Sequence, residues 1–514
     1  MSLPDSSSQA TVVGVGAKNV PFTFSSSNKE TIVGIIGTYN PAKTSVVDEI
    51  PLEVLSAGDV GEQTGYGYML HRLAINVFAG LNGTGRVFII PQAETGGAAA
   101  TVKQIAWVGA ATTKPGTIYL RLGGKLYAVA VPSGTTLEDY SQLVVDAVNA
   151  DPDAPVIATK TAVTFETVFT SKSKGPWGDL LTVTLNAKQG EALPTGITSG
   201  TVSTTTPGTG TPTASDALDG MGTDDDANSI DITHLVHGYN LDTTTIDAIS
   251  AYVGNGNDFT GCYSKLVGRP FVCLNGDTTA GTAGYNALLA LAAARTEDRT
   301  NGYLGAPDES RHPDEIAALS IGKIGDVFQT NPIQHYAGIS LFGSDADSSD
   351  RWTKNYSARD AAVKNGVSPT RVVNGILKLQ NVVTSYSYGV TPASNGYKSF
   401  RSFAITRNIL KFMRELFEAD AWQGCAIVEN IEDVTDLEAS QKVRDVNSVK
   451  TALNNLTDFL VGKGMLFEGD FTKENSTVAI RALSNGFDIN YKYKISGELQ
   501  VFNIQQSFDT NIAS

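Results

Sequence analysis

Apolar positions along this chain switch between two periods. TIVGIIG (31–37) is a short continuous apolar run, the pattern of a strand buried on both faces. Leu70, Leu73, Ala74, Val77, Phe78 and Leu81 then recur at i, i+3, i+4 and i+7, which predicts an amphipathic helix over 67–80. RVFII (86–90) is the next strand. Strand, helix and strand together predict an α/β layer.

From residue 97 the pattern becomes β-rich. TIYLRLGGKLYAVAV (117–131) is two alternating runs about Gly123–Gly124, a hairpin signal. Thr135 with Glu138 predicts a capping box opening a helix to about Val148, with Leu137, Tyr140, Val144 and Ala147 on one face. VTFETVF (163–169) and LLTVTLN (180–186) predict further strands. Residues 97–193 therefore read as a compact β-rich module inserted after a first α/β segment, 31–96. The Thr/Gly/Pro-rich stretch 194–216 reads as a flexible linker.

A new rhythm follows over 217–372. THLVHGY (233–239), RPFVCLNG (269–276), NGYLGAP (301–307) and HYAGISLF (335–342) are strand candidates. Helices at about 243–253, 282–298 and 313–328 separate them, the last opened by Pro313, Asp314 and Glu315. This alternation predicts a mostly parallel sheet. The final section, 373–514, mixes types. GILKLQNVVTSYSY (375–388) predicts a long strand. A helix at 402–420 points Ile405, Ile409, Phe412, Met413, Leu416 and Phe417 inward, with Arg407, Lys411 and Arg414 on its other side. A helix at 448–461 buries Val449, Leu453, Leu456 and Leu460, and strands close the chain at 476–483, 486–497 and 498–508. Residues 1–30 are polar and read as an arm, of which about 25 residues, fully extended at ~3.3 Å each, would reach roughly 80 Å.

Charge sharpens the picture. The 514 residues carry a net charge of −15, which argues against a general nucleic-acid binder. The balance is uneven: 1–350 holds 19 basic and 36 acidic residues, and 351–514 holds 19 and 17. Within the latter, 351–420 has 11 basic against 4 acidic residues. An acidic partner for the C-terminal part fits this, as do unevenly solvated faces. Cys262, Cys273 and Cys425 form no disulfide framework and no CxxC pair, as in a reducing compartment. No apolar run approaches the ~18 residues of a membrane span, and the first residues lack the pattern of a secretory signal.

Chemistry-bearing motifs are sparse. His234-x-x-His237 points its rings to opposite faces of a strand. Asp345-x-Asp347-x-x-Asp350 lacks the central Gly and terminal Glu of a calcium loop. Asp224–Asp226 reads as a solvated turn. No GxxxxGK[ST] or GxSxG occurs, and Gly14-Val15-Gly16 lacks the third glycine of a dinucleotide fingerprint. No catalytic residue, metal or cofactor is expected, and the pattern suits a structural protein better than an enzyme.

At 63–90 the sequence becomes specific. GYGYMLHRLAINVFAGLNGTGRVFIIP resembles a stretch of contractile phage tail sheath proteins, especially of the Mu-like type. GTIYLRLGGKLYAVAVPSGTTLEDYSQLVVDAVNADPDAPVIAT (116–159) and KGPWGDLLTVTLNAKQGEALPTGI (174–197) resemble that family's inserted module. DVNSVKTALNNLTDFL (445–460), DFTKENSTVAI (470–480) and NGFDINYKYKISGELQVFNIQQSF (485–508) resemble its C-terminal domain, in the same order.

The resemblance implies an α+β multidomain subunit: a subtilisin-like α/β middle domain that is no protease, an outward β-rich module, and an α+β C-terminal domain with extended terminal arms. It implies stacked rings around an inner tail tube that contract and drive the tube through a cell envelope. Arms at 8–24, with Thr11, Val12 and Val13, and at 498–510, with Val501, Phe502 and Ile504, would complete sheets in neighbouring copies. Arg407, Lys411 and Arg414 would contact the tube or a neighbour. The implied partners are the chain itself, the tail tube protein, and baseplate and tail terminator proteins, with no nucleic acid and no membrane insertion. The implied location is the virion tail, assembled in the bacterial cytoplasm. The alternative from another class is a receptor- or glycan-binding virion protein using the module at 97–190; a hydrolase on the α/β domain is a third reading.

Overall fold

The computed structural model describes residues 30–162, 164–221, 230, 232–253, 272–277, 281–295, 301–307, 309–344, 355–386, 398–482 and 485–497. Its residues fall into two compact units, one through Arg407 and one from Asn408 to Gly497.

The first unit is built on a nine-stranded sheet. The run 31–37 forms β1 (Ile32–Thr38), buried at every position because both faces are covered. Residues Leu52–Val54 form β2 and Arg86–Gln92 form β3. Strand β1 pairs in parallel with β3 on one side and with His234–His237 on the other. Beyond the latter the sheet continues through Val272–Asp277, Asn301–Gly305 and Val367–Val373, all parallel. It ends in the antiparallel strands Ile376–Leu379 and Ser340–Gly343, while β2 is the antiparallel edge at the opposite end. The architecture is thus mixed α+β with several sheets, and its largest sheet has the parallel core that the alternation predicts.

Helix α1 spans Ala57–Thr64 and α2 spans Met69–Leu81. Along α2, Leu70, Leu73, Ala74, Val77 and Leu81 are almost wholly buried, as their spacing requires. The long helix Pro313–Thr330 packs against α2 and starts on His312, whose Nδ1 accepts the Asp314 amide at 3.2 Å.

The module between β3 and His234 contains two antiparallel sheets. One orders Ile197–Thr206, Ala100–Gly109, Thr167–Lys174 and Val156–Lys160; the other orders Lys125–Val131, Gly116–Leu122 and Val183–Leu185. The hairpin turns at Gly123–Gly124, both with positive φ, as the sequence predicts. Helix α3 (Leu137–Asn149) begins one residue later than a Thr135 cap implies: Thr136 accepts the Asp139 amide, and the Thr135 hydroxyl donates to the Pro132 carbonyl.

Other expectations are corrected. The Thr-rich segment expected as a flexible linker supplies the ten-residue edge strand Ile197–Thr206, because β-branched threonines favour extended backbone. The strand expected at 163–169 starts at Thr167, after Phe165 in the left-handed region (φ 54°). Of 180–186, only Val183–Leu185 is strand, and a 3-10 turn covers Pro176–Leu180. The long strand expected at 375–388 stops at Leu379; it is the second arm of a hairpin turned by Asn374 and Gly375, both with positive φ. That hairpin joins 376–379 to the large sheet, and the compact unit it belongs to runs through Arg407.

The second unit is small. Helix Val446–Gly462 buries Val449, Leu453, Leu456 and Leu460, the four positions its period predicts. Around it pack Met413, Phe417, Trp422, Phe487, Ile489 and Tyr491. Its strands form three two-stranded ladders among the described residues: Ala426–Ile427 with Val443–Arg444, Leu466–Phe467 with Lys494–Ile495, and Thr477–Ile480 with Phe487–Asn490.

Candidate interaction surfaces

The arm residues Thr11, Val12, Val13, Val501, Phe502 and Ile504 lie outside the described residues, as do Asp224–Asp226, Asp345, Asp347, Asp350 and Cys262. The basic stripe on the helix Phe400–Glu418 is not one exposed face. Arg407 is 2% exposed, Lys411 is half-buried, and Arg414 is exposed but paired with Glu418 at 2.7 Å. Around Arg407 the helix is enclosed, with Ala404, Ile405, Asn408 and Ile409 all buried, so spacing alone misplaces it.

Four of the five histidines are buried and serve the fold. His312 accepts a backbone amide at Nδ1, so its Nε2–H donates to the Trp177 carbonyl (2.9 Å), and its ring stacks on Trp177 at 4.4 Å. Burial lowers its pKa to about 4. His71 accepts the Gly67 amide at Nδ1 (3.0 Å), and burial outweighs the Asp153 carboxylate in lowering it to about 4. His234 pairs with Thr233 Oγ1 at 2.7 Å and packs edge-on to Phe328; burial, aided by Arg407, lowers it to about 3. His237 is buried beside Tyr239. Neutral, desolvated rings of this kind are packing elements first.

These groups fasten the module to the sheet. Arg72 makes a two-pronged pair with Glu315 (2.7 and 2.9 Å) and donates to the Asp153 carbonyl at 3.2 Å. Ser173 Oγ accepts the Met69 amide at 2.9 Å, satisfying a donor in the first turn of α2. Lys172 donates to the Tyr66 and Pro152 carbonyls at 3.0 and 2.9 Å. A Cβ on Gly67 would sit 2.1 Å from the Ala154 carbonyl oxygen, so the two chains meet as backbone on backbone. The module is therefore clamped to the sheet by buried charge and hydrogen bonds.

A cavity of about 390 Å³ lies where the module covers the carboxyl ends of β1 and His234–His237, between Met69, Trp177 and Tyr239. Its carboxylates are committed to the fold. Asp179 accepts from Thr101 Oγ1 (2.7 Å) and the Gly208 amide (2.9 Å), and Asp242 caps the helix Thr243–Val253 through Thr245. No Ser, Cys or His is among the residues that line the cavity. Among the described residues no cluster of three or more His, Cys, Asp or Glu could hold a metal, and no helix is long and apolar enough to cross a membrane.

Two groups of like charge lie towards opposite ends of the large sheet. Towards one end, next to the edge strand Ser340–Gly343, Arg371 stands directly opposite Lys378 on paired antiparallel strands. At the other, exposed Asp48, Asp216 and Asp219 lie near half-buried Glu49; its carboxyl is raised by burial and then by these three neighbours. Sequence reasoning missed both. The excess of base in 351–420 was the only signal for the first, and the second joins segments some 170 residues apart.

No family model matches the sequence, and no curated protein matches it. Among solved structures, the chain is similar to the sheath tail protein of Desulfitobacterium hafniense, with 11% identity, TM-score 0.48, and 95% of this chain and 98% of that chain covered. It is similar to a sheath tail protein of Listeria innocua at 11% identity and TM-score 0.45, covering 92% and 94%. It is also similar to the sheath of an extracellular contractile injection system in its contracted state, at 9% identity and TM-score 0.48, covering 98% and 99%.

Proposed function

We propose that this chain is the structural, non-enzymatic subunit of a contractile tail sheath. It polymerises around an inner tail tube and contracts to drive that tube through the target envelope during genome delivery. The α/β sheet is the subtilisin-like middle domain of that family without its chemistry. The baseplate starts the lattice, a terminator protein ends it, and the virion tail, assembled in the host cytoplasm, is its location. The ordered sequence resemblance from 63 to 508 motivates the reading.

One structural observation carries it furthest. The unit 408–497 has only two-stranded ladders, each with an open edge among the described residues. Two-stranded ladders are marginal alone. A strand added from a neighbouring copy would supply main-chain hydrogen bonds, each worth roughly 0.5–1.5 kcal/mol net. Subunits joined by such strands can rotate against one another without separating.

The test is negative-stain electron microscopy of the full chain beside a version lacking residues 1–24, each with and without tube protein. Hollow tubes from the full chain, shortened or lost on truncation, are expected. Monomers from both at high concentration, with tube protein present, would overturn the reading.

A further inference from the structure

We propose that the two ends of the nine-stranded sheet are complementary faces through which one copy of this chain binds the next, head to tail. The choice of a second copy as partner rests on the sheath reading. The faces themselves rest on the observations that follow.

Arg371 and Lys378 occupy directly opposed positions on the hairpin Val367–Val373/Ile376–Leu379. Like charges in that register destabilise a sheet. Neither has an acidic partner among the described residues, so nothing described in the fold offsets the repulsion. Arg371 is exposed and Lys378 half-exposed, and the neighbouring pair Val373–Ile376 adds apolar surface, with Ile376 38% exposed. One strand in from the edge strand Ser340–Gly343, this hairpin makes a cationic, partly apolar face.

The opposite end has the complementary chemistry. Strand β2 leaves one edge unpaired among the described residues, and the segment around it exposes Val47, Ile50 and Leu55, the last at 85%. Beside them lie Asp48 and Glu49, and the helix Ala214–Gly220, which carries Asp216 and Asp219, ends against them, where a Cβ on Gly220 would run into the Glu49 carbonyl oxygen. An anionic, partly apolar face and a cationic, partly apolar face therefore sit on one sheet. Six to seven strand spacings of ~4.8 Å hold them roughly 29–34 Å apart, so they cannot meet within a molecule. Different patches that match each other make a heterologous contact, which closes into a ring or propagates as a helix. The charges would set register and encounter rate, and the apolar residues would set the lifetime. An unrelated acidic partner would satisfy only one face, whereas a second copy satisfies both in equal number.

The experiment uses the full-length chain, with sedimentation velocity across salt concentrations and electron microscopy of the same samples. Variants are R371E/K378E, whose two ends are both acidic, and D48K/D216K, whose two ends are both basic. Each alone is expected to associate at least tenfold more weakly than the wild type, and an equimolar mixture is expected to recover association. Arg371→Gln is a further control: it should raise the melting temperature by relieving the repulsion while weakening association. A purely structural role would not produce that split. Unchanged tubes from both double variants would overturn the edge pairing and leave the sheath reading standing. Salt-sensitive oligomers of the wild type that are lost in the variants, and never become tubes with tube protein, would sustain the pairing and overturn the sheath reading. Variants with wild-type circular dichroism whose mixture fails to recover would overturn the pairing.

Discussion

Gly80 of α2 and Gly322 of the helix Pro313–Thr330 face each other across the crossing of the two helices. A Cβ on Gly80 would lie 2.6 Å from the Gly322 Cα, and one on Gly322 would lie 2.5 Å from the Val77 carbonyl oxygen. The obstructing atoms are backbone, so the helices would have to move apart. Gly80→Ala is therefore expected to destabilise the protein: overpacking costs roughly 1–3 kcal/mol, more than the ~1 kcal/mol of helix propensity it gains. Gly58→Ala in α1 is the control, because its Cβ would meet only Ser56 Oγ at 3.7 Å. That variant is expected to gain up to about 1 kcal/mol. Urea midpoints of both variants decide the matter, and equal signs would contradict the crossing geometry.

The same two helices are joined by Arg72 and Glu315, whose side chains are 9% and 2% exposed. Arg72→Met leaves a carboxylate buried without its partner, which costs on the order of 3–5 kcal/mol. Arg72→Met/Glu315→Leu removes both charges and is expected to recover most of that loss. A double-mutant cycle in urea measures the difference. A double variant no more stable than Arg72→Met would show that the charges are solvated rather than buried.

Strong periodicity made parts of both units legible, and weak local signals hid the exceptions. The β1–α2–β3 run, the turn at Gly123–Gly124 and the buried face of Val446–Gly462 each follow from spacing within a dozen or so residues. The strand Ile197–Thr206 did not, because an edge strand with exposed threonines on both faces shows no apolar alternation. The run 375–388 concealed an Asn374–Gly375 turn at its start, which fixes a short hairpin instead of a long strand. Arg407 was misplaced because burial there depends on what packs around the helix, not on its own period. The charged groups on the sheet required register: Arg371 and Lys378 are opposed only through the hairpin, and Asp48 and Asp216 act on one carboxyl, Glu49, only in the fold.

The start of α3 tests the one-residue shift in the cap. Thr136 Oγ1 accepts the Asp139 amide at 3.2 Å, so Thr136→Ala is expected to cost about 1 kcal/mol. Glu138, the would-be capping-box partner, is 55% exposed and reaches Lys160 at 3.0 Å. Glu138→Ala is expected to change stability by less than ~0.5 kcal/mol, as for most exposed pairs. A larger loss from Glu138→Ala than from Thr136→Ala would place the cap at Thr135 instead.

The buried histidines make stability depend on pH in a definite direction. His71 titrates at about 4 in the folded protein against an ordinary 6.5, because burial outweighs Asp153, with Arg72 and Lys172 acting the same way as burial. The unfolded chain therefore takes up the proton first. The contribution of neutral His71 is complete above about pH 6.5 and is lost as pH falls from there towards 4. Asp314 acts in the opposite sense, since its buried carboxyl is raised and acid relieves its cost. Comparing two proteins that share Asp314 cancels that effect. His71→Gln keeps a side-chain oxygen for the Gly67 amide and removes the titration, so it should be less stable than wild type at pH 7.5. Between pH 6.5 and 4.5 it should lose roughly 2 kcal/mol less than wild type, close to the limit of 1.36 kcal/mol per unit for one group. Urea unfolding at four pH values across that window measures both profiles. Parallel curves would mean that His71 is solvated in the folded protein, and the clamp between α2 and the module would then need a different account.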